Sequence, residues 1–169
     1  MRWLFLALTT IATFVNAADF RDLNFGESCA SVDTTELSRG SKHAPWSKES
    51  PDLHTYSGRE LDLPTWIMYL CQGGIFRIGT FFFESQSPRL SVDTYHEIYL
   101  SYISQYGVPI LDNTPWRVKQ SPVPPAELDP AKYSVSWRSD DGTHRGMTFR
   151  HQSEIPDKNW VIAVTIGPT

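Results

Sequence analysis

The chain of 169 residues has 15 Lys and Arg against 19 Asp and Glu, and its basic residues form no run. A mildly acidic chain without a basic patch lacks the electrostatic footprint that nucleic acids and anionic lipids require, so we expect neither as a partner. Its apolar and aromatic content is that of a globular protein and excludes a disordered chain.

The first residues have the three parts of a secretory signal peptide. Arg2 supplies a positive charge, an apolar stretch follows at 4–15, and small residues stand at Val15 and Ala17. The stretch is shorter than the roughly 20 residues that cross a hydrocarbon core, and no later segment is apolar for long enough. We therefore predict cleavage after Ala17. The mature chain, 18–169, is expected to be one domain without a membrane span, soluble in the periplasm or outside the cell.

Cys29 and Cys71 are the two cysteines of the chain. In an oxidising compartment such a pair is more often bridged than free, and the bridge closes a loop for which chain entropy gives about 4 kcal/mol of stabilisation. The alternative is that Cys71 acts as a nucleophile. Its neighbours Leu70 and Gln72 belong to no cysteine-hydrolase signature, so the sequence favours a disulfide.

The mature chain begins with a predicted helix and a polar loop. The helix is expected over 27–37 and to end near Gly40, which suits the left-handed stop. The residues that fall near one face of it are Cys29, Val32 and Glu36 or Leu37. The loop at 41–52 contains two prolines and one large apolar residue, Trp46.

A β-hairpin is the strongest local pattern. Residues 65–71 and 75–84 are apolar strands separated by Gly73-Gly74, a pair that tolerates the positive φ of a tight turn. Residues around Tyr56 are predicted to add a third strand. Strict alternation along the return strand would place Phe76, Ile78 and Phe82 on one side and Ile75, Phe81 and Phe83 on the other.

A second helix is predicted over 93–106, with Ser91 or Asp93 as its cap and Gly107 at its end. Its apolar positions recur at helical spacing and are Tyr95, Tyr99, Tyr102, Ile103 and Tyr106. A row of tyrosines on a helix could form a platform for a ligand. More often such a row is core whose hydroxyls reach the rim, and we favour that interpretation.

Residues 108–131 form a long proline-rich connection that includes a short edge strand around 116–119, and three strands follow at 133–137, 144–151 and 160–166. The turn between the first two is Asp140-Asp141-Gly142. The sequence thus predicts an α+β fold with an antiparallel sheet of five to seven strands and two helices packed on it. The order of elements allows two halves that each have a helix followed by strands.

Catalytic and metal-binding motifs are missing from the sequence. It contains no Gly-x-Ser-x-Gly, His-Glu-x-x-His, Walker or dinucleotide glycine motif, and its five histidines are scattered. We therefore predict no catalytic residue, metal or cofactor. Two alternatives stay open: a small exported hydrolase that uses His96, Glu97 or His144, and a carrier of a small apolar ligand held by Tyr95, Tyr99 and Phe82.

Trp46, Trp116 and Arg117 are the candidate binding residues. The tryptophans lie in the two proline-containing loops, and Trp and Arg are residue types that dominate interface energies. The alternative is that each tryptophan folds back over an end of the sheet. The sequence favours an exported, non-enzymatic module that binds a protein partner, such as an inhibitor, an immunity protein or an envelope accessory factor, and leaves its oligomeric state open.

Overall fold

The computed structural model describes residues 19–44, 50–85, 88–114, 133–151 and 160–169. Within these ranges it contains two helices and eight strands. The helices are α1 (Ala30–Ser38) and α2 (Pro88–Tyr106). The strands are β1 (Lys42–His43), β2 (Leu53–Glu60), β3 (Leu63–Gln72), β4 (Ile75–Ser85), β5 (Leu111–Asp112), β6 (Ser134–Arg138), β7 (Thr143–His151) and β8 (Trp160–Pro168).

The strands form one antiparallel sheet in the order β1-β2-β3-β4-β8-β7-β6-β5. Each half of the chain is one helix followed by four strands, and the last strands of the two halves pair at the centre, where Phe82 lies opposite Ala163. This confirms the predicted α+β class. The predicted number of strands was too low because β1 and β5 have two residues each. Two residues leave no alternation for a sequence pattern to show.

The predicted hairpin is formed by β3 and β4, and Gly73-Gly74 makes its turn with φ of 60° and 76°. The strand register shifts beside Cys71, which lies opposite Phe76, and this bulge gives β4 one extra residue. An extra residue reverses the alternation of side chains beyond it. Phe76 therefore lies in the main core with Phe81, and the expectation that it shares a side with Phe82 was wrong.

Helix α2 begins at Pro88, five residues before the predicted start. Proline suits the first turn of a helix because its missing N–H would have no partner there. Gly107 follows the helix with a φ of 78°, and its N–H donates to the carbonyl of Ile103 at 2.9 Å. Of the tyrosines predicted to be core, Tyr95, Tyr99 and Tyr102 are buried, whereas Tyr106 is only half-buried.

The main core lies between the two helices and one face of the sheet. Among its largest fully buried side chains are Phe20, Tyr56, Tyr69, Tyr95, Tyr133, Trp137 and Phe149. A smaller cluster of Phe82, Val161 and Ala163 lies on the opposite face. Neither helix in the described ranges has the length and hydropathy needed to cross a membrane.

A disulfide joins Cys29 and Cys71, as the sequence predicts, with 6.2 Å between the Cα atoms. Both residues are buried. The bond connects the residue before α1 to β3 and so fixes the small helix to the sheet beside the hairpin turn.

Candidate functional site

An open cavity of about 240 Å³ lies on the helix-covered face of the sheet, where the two halves meet. Its floor is formed by Phe81 of β4 and Ile166 of β8. The wall on the first half consists of 19–22 with Arg39, Glu60 and Leu61, and the opposite wall of Tyr102, Gln105 and Tyr106 near the end of α2. We call this cavity the seam cleft. Most of its wall residues carry charged or polar groups.

A buried ion pair of Arg21 and Glu36 supports the first wall. The side chain of Glu36 has no exposed surface and that of Arg21 is 4% exposed. Arg21 Nε lies 2.7 Å from Glu36 Oε1, and Nη2 lies 3.2 Å from Oε2. The hydroxyl of Tyr69 donates to Oε1, and that of Ser41 donates to Oε2 at 2.6 Å. The buried carboxylate therefore has four hydrogen-bond donors, which its charge requires in a place without water.

Arg21 also reaches Glu60 on the wall of the cleft. Its Nη1 lies 2.7 Å from Glu60 Oε2 and donates to the carbonyl of Arg59 at 3.0 Å. Burial raises the pKa of Glu60, and the nearby charge of Arg21 only partly opposes that rise. Burial also disfavours the charge of Arg21, but the hydrogen bond and charge of Glu36 hold the pKa of Arg21 above its usual range. Glu36 and Glu60 thus share one cation, the guanidinium of Arg21.

Two strained turns shape the same wall. Arg21-Asp22 has φ of 46° and 69° and connects Phe20 to Leu23, which exchange backbone hydrogen bonds of 3.0 Å. Leu61-Asp62 has φ of 48° and 60° and connects β2 to β3. These four are all the non-glycine residues of positive φ in the described part of the chain. A non-glycine residue in this conformation lowers the stability of the fold by about 1–3 kcal/mol. Such residues are found more often at functional sites than elsewhere.

Phe20 positions the first turn over β4. Its ring stacks on Phe81 with 4.6 Å between centroids, and it lies directly over Gly79. A Cβ atom at Gly79 would come within 2.5 Å of the Phe20 ring, so only glycine allows this approach. The contact holds Arg21, the next residue, at the mouth of the cleft.

Aromatic rings of the cleft already contact guanidinium groups. Cζ of Arg21 lies 5.8 Å from the ring centroid of Phe81, and Cζ of Arg145 lies 4.2 Å from that of Tyr106. Arg145 is buried on β7 and does not line the cleft. Its Nη1 donates to the hydroxyl of Ser139 at 2.5 Å, whereas its Nε has no hydrogen-bond partner among the described residues. Phe81 is buried and Tyr106 is half-buried, and each ring has an arginine of the protein as its cation–π partner.

A second polar cluster lies on the first half, between α1 and β2. The hydroxyl of Tyr56 donates to Asp33, and His54 Nδ1 lies 3.6 Å from Asp33 Oδ1. The His43 ring is 5.0 Å from that of Tyr56. The hydrogen bond from Tyr56 and the nearby histidines hold the pKa of Asp33 below its usual range. No group of His, Cys, Asp and Glu in the described ranges has the geometry of a metal site.

The sequence-predicted binding residues Trp46, Trp116 and Arg117 lie outside the described residues, as does the predicted signal peptide at 1–17. The edge strand expected around 116–119 falls there as well. These assignments therefore stay predictions.

The residues of the two alternative functions are not brought together. His96 and Glu97 are exposed on α2, His144 lies on β7, and none of the three lines the seam cleft. Tyr95 packs in the main core, 5.8 Å from Tyr133, whereas Phe82 belongs to the cluster on the other face of the sheet. Because Tyr95 and Tyr99 lie on one face of the sheet and Phe82 on the other, these three side chains do not share one pocket in the described part of the chain.

Sequence reasoning missed Arg21 and Glu60 and placed Glu36 only on the inner face of α1. One local signal was available for Glu36, because it follows Val32 by four residues and so shares the buried face of the helix. Its neighbour Leu37 is 52% exposed, which reverses the expectation from hydrophobicity. A glutamate on the buried face of a helix indicates that a basic side chain pairs with it. The sequence does not show which of the basic residues this is.

No protein-family model matches the chain, and no curated protein or solved structure is significantly similar to it. The functional interpretation therefore depends on the geometry of the seam cleft.

Proposed function

We propose that the protein is an exported, non-enzymatic binding module whose protein partner docks at the seam cleft. The observation that carries this proposal is the cavity of about 240 Å³ between the two halves, with charged and aromatic walls. Sites for small molecules usually have about 300–1,000 Å³. The smaller cleft suits one long side chain of a partner that covers the surrounding surface.

Ion pairs and the disulfide support a rigid first wall. Arg21 connects the turn at 20–23 to α1 through Glu36 and to β2 through Glu60. The disulfide fixes the start of α1 to β3. A surface held in its binding conformation loses less entropy when a partner docks, so rigidity here supports binding.

The test is a pull-down from an extracytoplasmic extract with the mature, oxidised protein as bait. Gln105 and Ser104 are both exposed on α2, but only Gln105 lines the cleft. Gln105→Trp should fill the cleft and lose a partner that the unmodified protein and Ser104→Trp both retain. A partner still held by Gln105→Trp would place docking elsewhere and overturn the proposal. Failure of every bait to capture a stoichiometric partner would also count against it.

The loops around Trp46 and Trp116 remain candidates for a further contact with the same partner, together with Arg117. A Trp46→Ala, Trp116→Ala double variant tests them in the same pull-down. We expect reduced capture by this variant while its circular dichroism stays that of the unmodified protein. Full capture would remove both tryptophans from the binding surface.

A small exported hydrolase is the second candidate, and one observation favours it. Glu60 lies in a polar cleft, and burial raises its pKa, which is the environment that a carboxylic general acid needs. Mature protein and a Glu60→Gln variant would be compared on ester, peptide and glycoside substrates. Turnover by the unmodified protein that the folded variant lacks would support the hydrolase over the binding module.

A further inference from the structure

Acidic groups outnumber basic groups around the seam cleft. Two arginines line it, and three carboxylates line it with a fourth, Glu36, directly behind Arg21. The lining residues of this set are Asp19, Arg21, Asp22, Arg39 and Glu60. Three lining carboxylates against two lining arginines give the cleft a net negative charge, and the two charges directly behind the lining, Glu36 and Arg145, are of opposite sign.

Both arginines that line the cleft already have a carboxylate of this chain as partner. Arg21 uses Nε and Nη2 on Glu36 and Nη1 on Glu60 and a backbone carbonyl. Arg39 places Nε 2.8 Å and Nη2 2.6 Å from Oδ2 of Asp22. Nη1 of Arg39 has no acceptor among the described residues, but an anion bound there would lie beside the carboxylates of Asp22 and Glu60. Their repulsion disfavours a phosphate or carboxylate ligand.

Three carboxylate oxygens remain open to an incoming donor. Oε1 of Glu60, Oδ1 of Asp19 and Oδ1 of Asp22 have no hydrogen-bond donor among the described residues, whereas Asp19 Oδ2 accepts from the N–H of Phe25 at 2.8 Å. Burial raises the pKa of Glu60, and the charge and hydrogen bond of Arg21 oppose that rise in part. A second cation beside Oε1 would favour its charged form.

The floor and the opposite wall contain aromatic rings, of which Phe81 and Tyr102 are buried and Tyr106 is half-buried. Tyr102 and Tyr106 lie 5.2 Å apart between centroids, and Phe81 already lies beneath the guanidinium of Arg21. Arg145 stacks on Tyr106 and works against a further cation, but it does not line the cleft. Carboxylate oxygens beside aromatic rings are the surroundings in which proteins hold guanidinium and ammonium groups.

We infer that the seam cleft accepts a single basic side chain, arginine or lysine, from the protein partner. The inference rests on the proposed docking function and names the chemistry of the docked group. The size of the cavity fits one long side chain, its charge favours a cation, and its open carboxylate oxygens can accept the hydrogen bonds of that cation.

The experiment titrates ¹⁵N-labelled mature, oxidised protein with Nα-acetyl-arginine amide and, separately, with the uncharged isostere Nα-acetyl-citrulline amide. The arginine probe should give saturable shifts at cleft residues such as Glu60, Gln105 and Tyr106. Its affinity should exceed that of the citrulline probe about tenfold, since only the former makes charge-assisted hydrogen bonds. Equal affinity for both probes, or no binding of the arginine probe, would overturn the inference.

Two variants of one exposed position separate charge from shape. Gln105→Lys places an ammonium group at the cleft and should abolish binding of the arginine probe, whereas Gln105→Met has similar length without charge and should retain it. Retained binding of the arginine probe by Gln105→Lys contradicts the inference.

The pull-down separates the inference from the proposed function. If the partner is lost by Gln105→Trp but captured normally by Gln105→Lys, docking at the cleft is supported and recognition of a cation is not. If the arginine probe binds but no partner depends on the cleft, the proposed function fails instead.

Discussion

Nε of Arg21 lies 2.7 Å from Oε1 of Glu36, and both side chains are almost fully buried, with 4% and 0% exposed. An ion pair in such a place contributes little net stability when intact, because removing both charges from water offsets most of their attraction. Removal of Arg21 leaves the Glu36 carboxylate buried without a cation, and removal of Glu36 leaves Arg21 with Glu60 as its one remaining charged partner. The pair therefore makes the first wall of the cleft dependent on both residues.

Glu36→Ala should lower the free energy of unfolding by about 3–5 kcal/mol, because Arg21 then keeps only Glu60 as a charged partner. Urea unfolding of oxidised protein consisting of residues 18–169, followed by tryptophan fluorescence, measures the change. Glu84→Ala is the control, since Glu84 is exposed on β4 and a surface substitution there should change stability by about 0.5 kcal/mol or less. Equal effects of the two substitutions would contradict the buried pair.

The paired substitution Arg21→Met with Glu36→Leu should destabilise the protein less than Glu36→Ala alone. Apolar residues of similar size can replace a buried ion pair with a neutral or even favourable effect. A double-mutant cycle gives the coupling, for which residues in one network usually show about 0.5–3 kcal/mol. Additive losses would mean that Arg21 and Glu36 contribute independently.

Gly79→Ala should destabilise the fold by about 1–3 kcal/mol, because the new Cβ would lie 2.5 Å from the ring of Phe20 and the packed core cannot yield freely. Gly146→Ala is a matched control in β7, where the nearest atom stands 3.6 Å from the new Cβ, an ordinary contact. Urea unfolding compares the two. A similar small effect at both positions would show that Phe20 moves aside without loss.

The elements that sequence could predict are those with a local pattern. Gly73-Gly74 marks the hairpin turn, and the tyrosine spacing marks the buried face of α2. The bulge opposite Cys71 was not predictable, because the extra residue in β4 is defined by its pairing with β3. The two-residue edge strands β1 and β5 likewise exist only through their neighbours β2 and β6.

The seam cleft had no local pattern to reveal it. Arg21 lies 15 residues from Glu36 and 39 from Glu60, and the three meet only after the turn at 20–23 packs against α1 and β2. The second wall comes from α2, a helix of the other half. A site assembled from both halves depends on the central pairing of β4 with β8, which strand patterns do not specify.

The double substitution Cys29→Ser, Cys71→Ser removes the disulfide and should lower the free energy of unfolding by about 4 kcal/mol. The loss is expected because the unfolded chain gains conformational entropy when the bond no longer constrains it. Urea unfolding measures the loss, and reduced unmodified protein should show a similar one. Mass spectrometry after alkylation without reductant provides a separate check, since neither sulfur should react. Alkylation of both cysteines in mature protein from its native compartment would contradict the bond.

Alkaline pH should unfold the protein cooperatively, because burial raises the pKa of five tyrosines: Tyr56, Tyr69, Tyr95, Tyr102 and Tyr133. Their pKa in an unfolded chain is about 10. Since the folded pKa lies above that value, the neutral tyrosines contribute stability that is fully present below about pH 10 and decreases as the pH rises further. Phenolate absorbance should therefore rise in a step that coincides with the loss of circular dichroism.

Two comparisons test whether burial causes the step. In concentrated urea the seven tyrosines of the chain should ionise together near pH 10, without a cooperative transition. Tyr102→Phe keeps the buried ring but removes one ionisable group, so the step should move to higher pH. If the native protein instead ionised all its tyrosines gradually near pH 10 with its secondary structure intact, the tyrosine face of α2 would be open to water, and the second wall of the cleft would not be the packed surface that the structure describes.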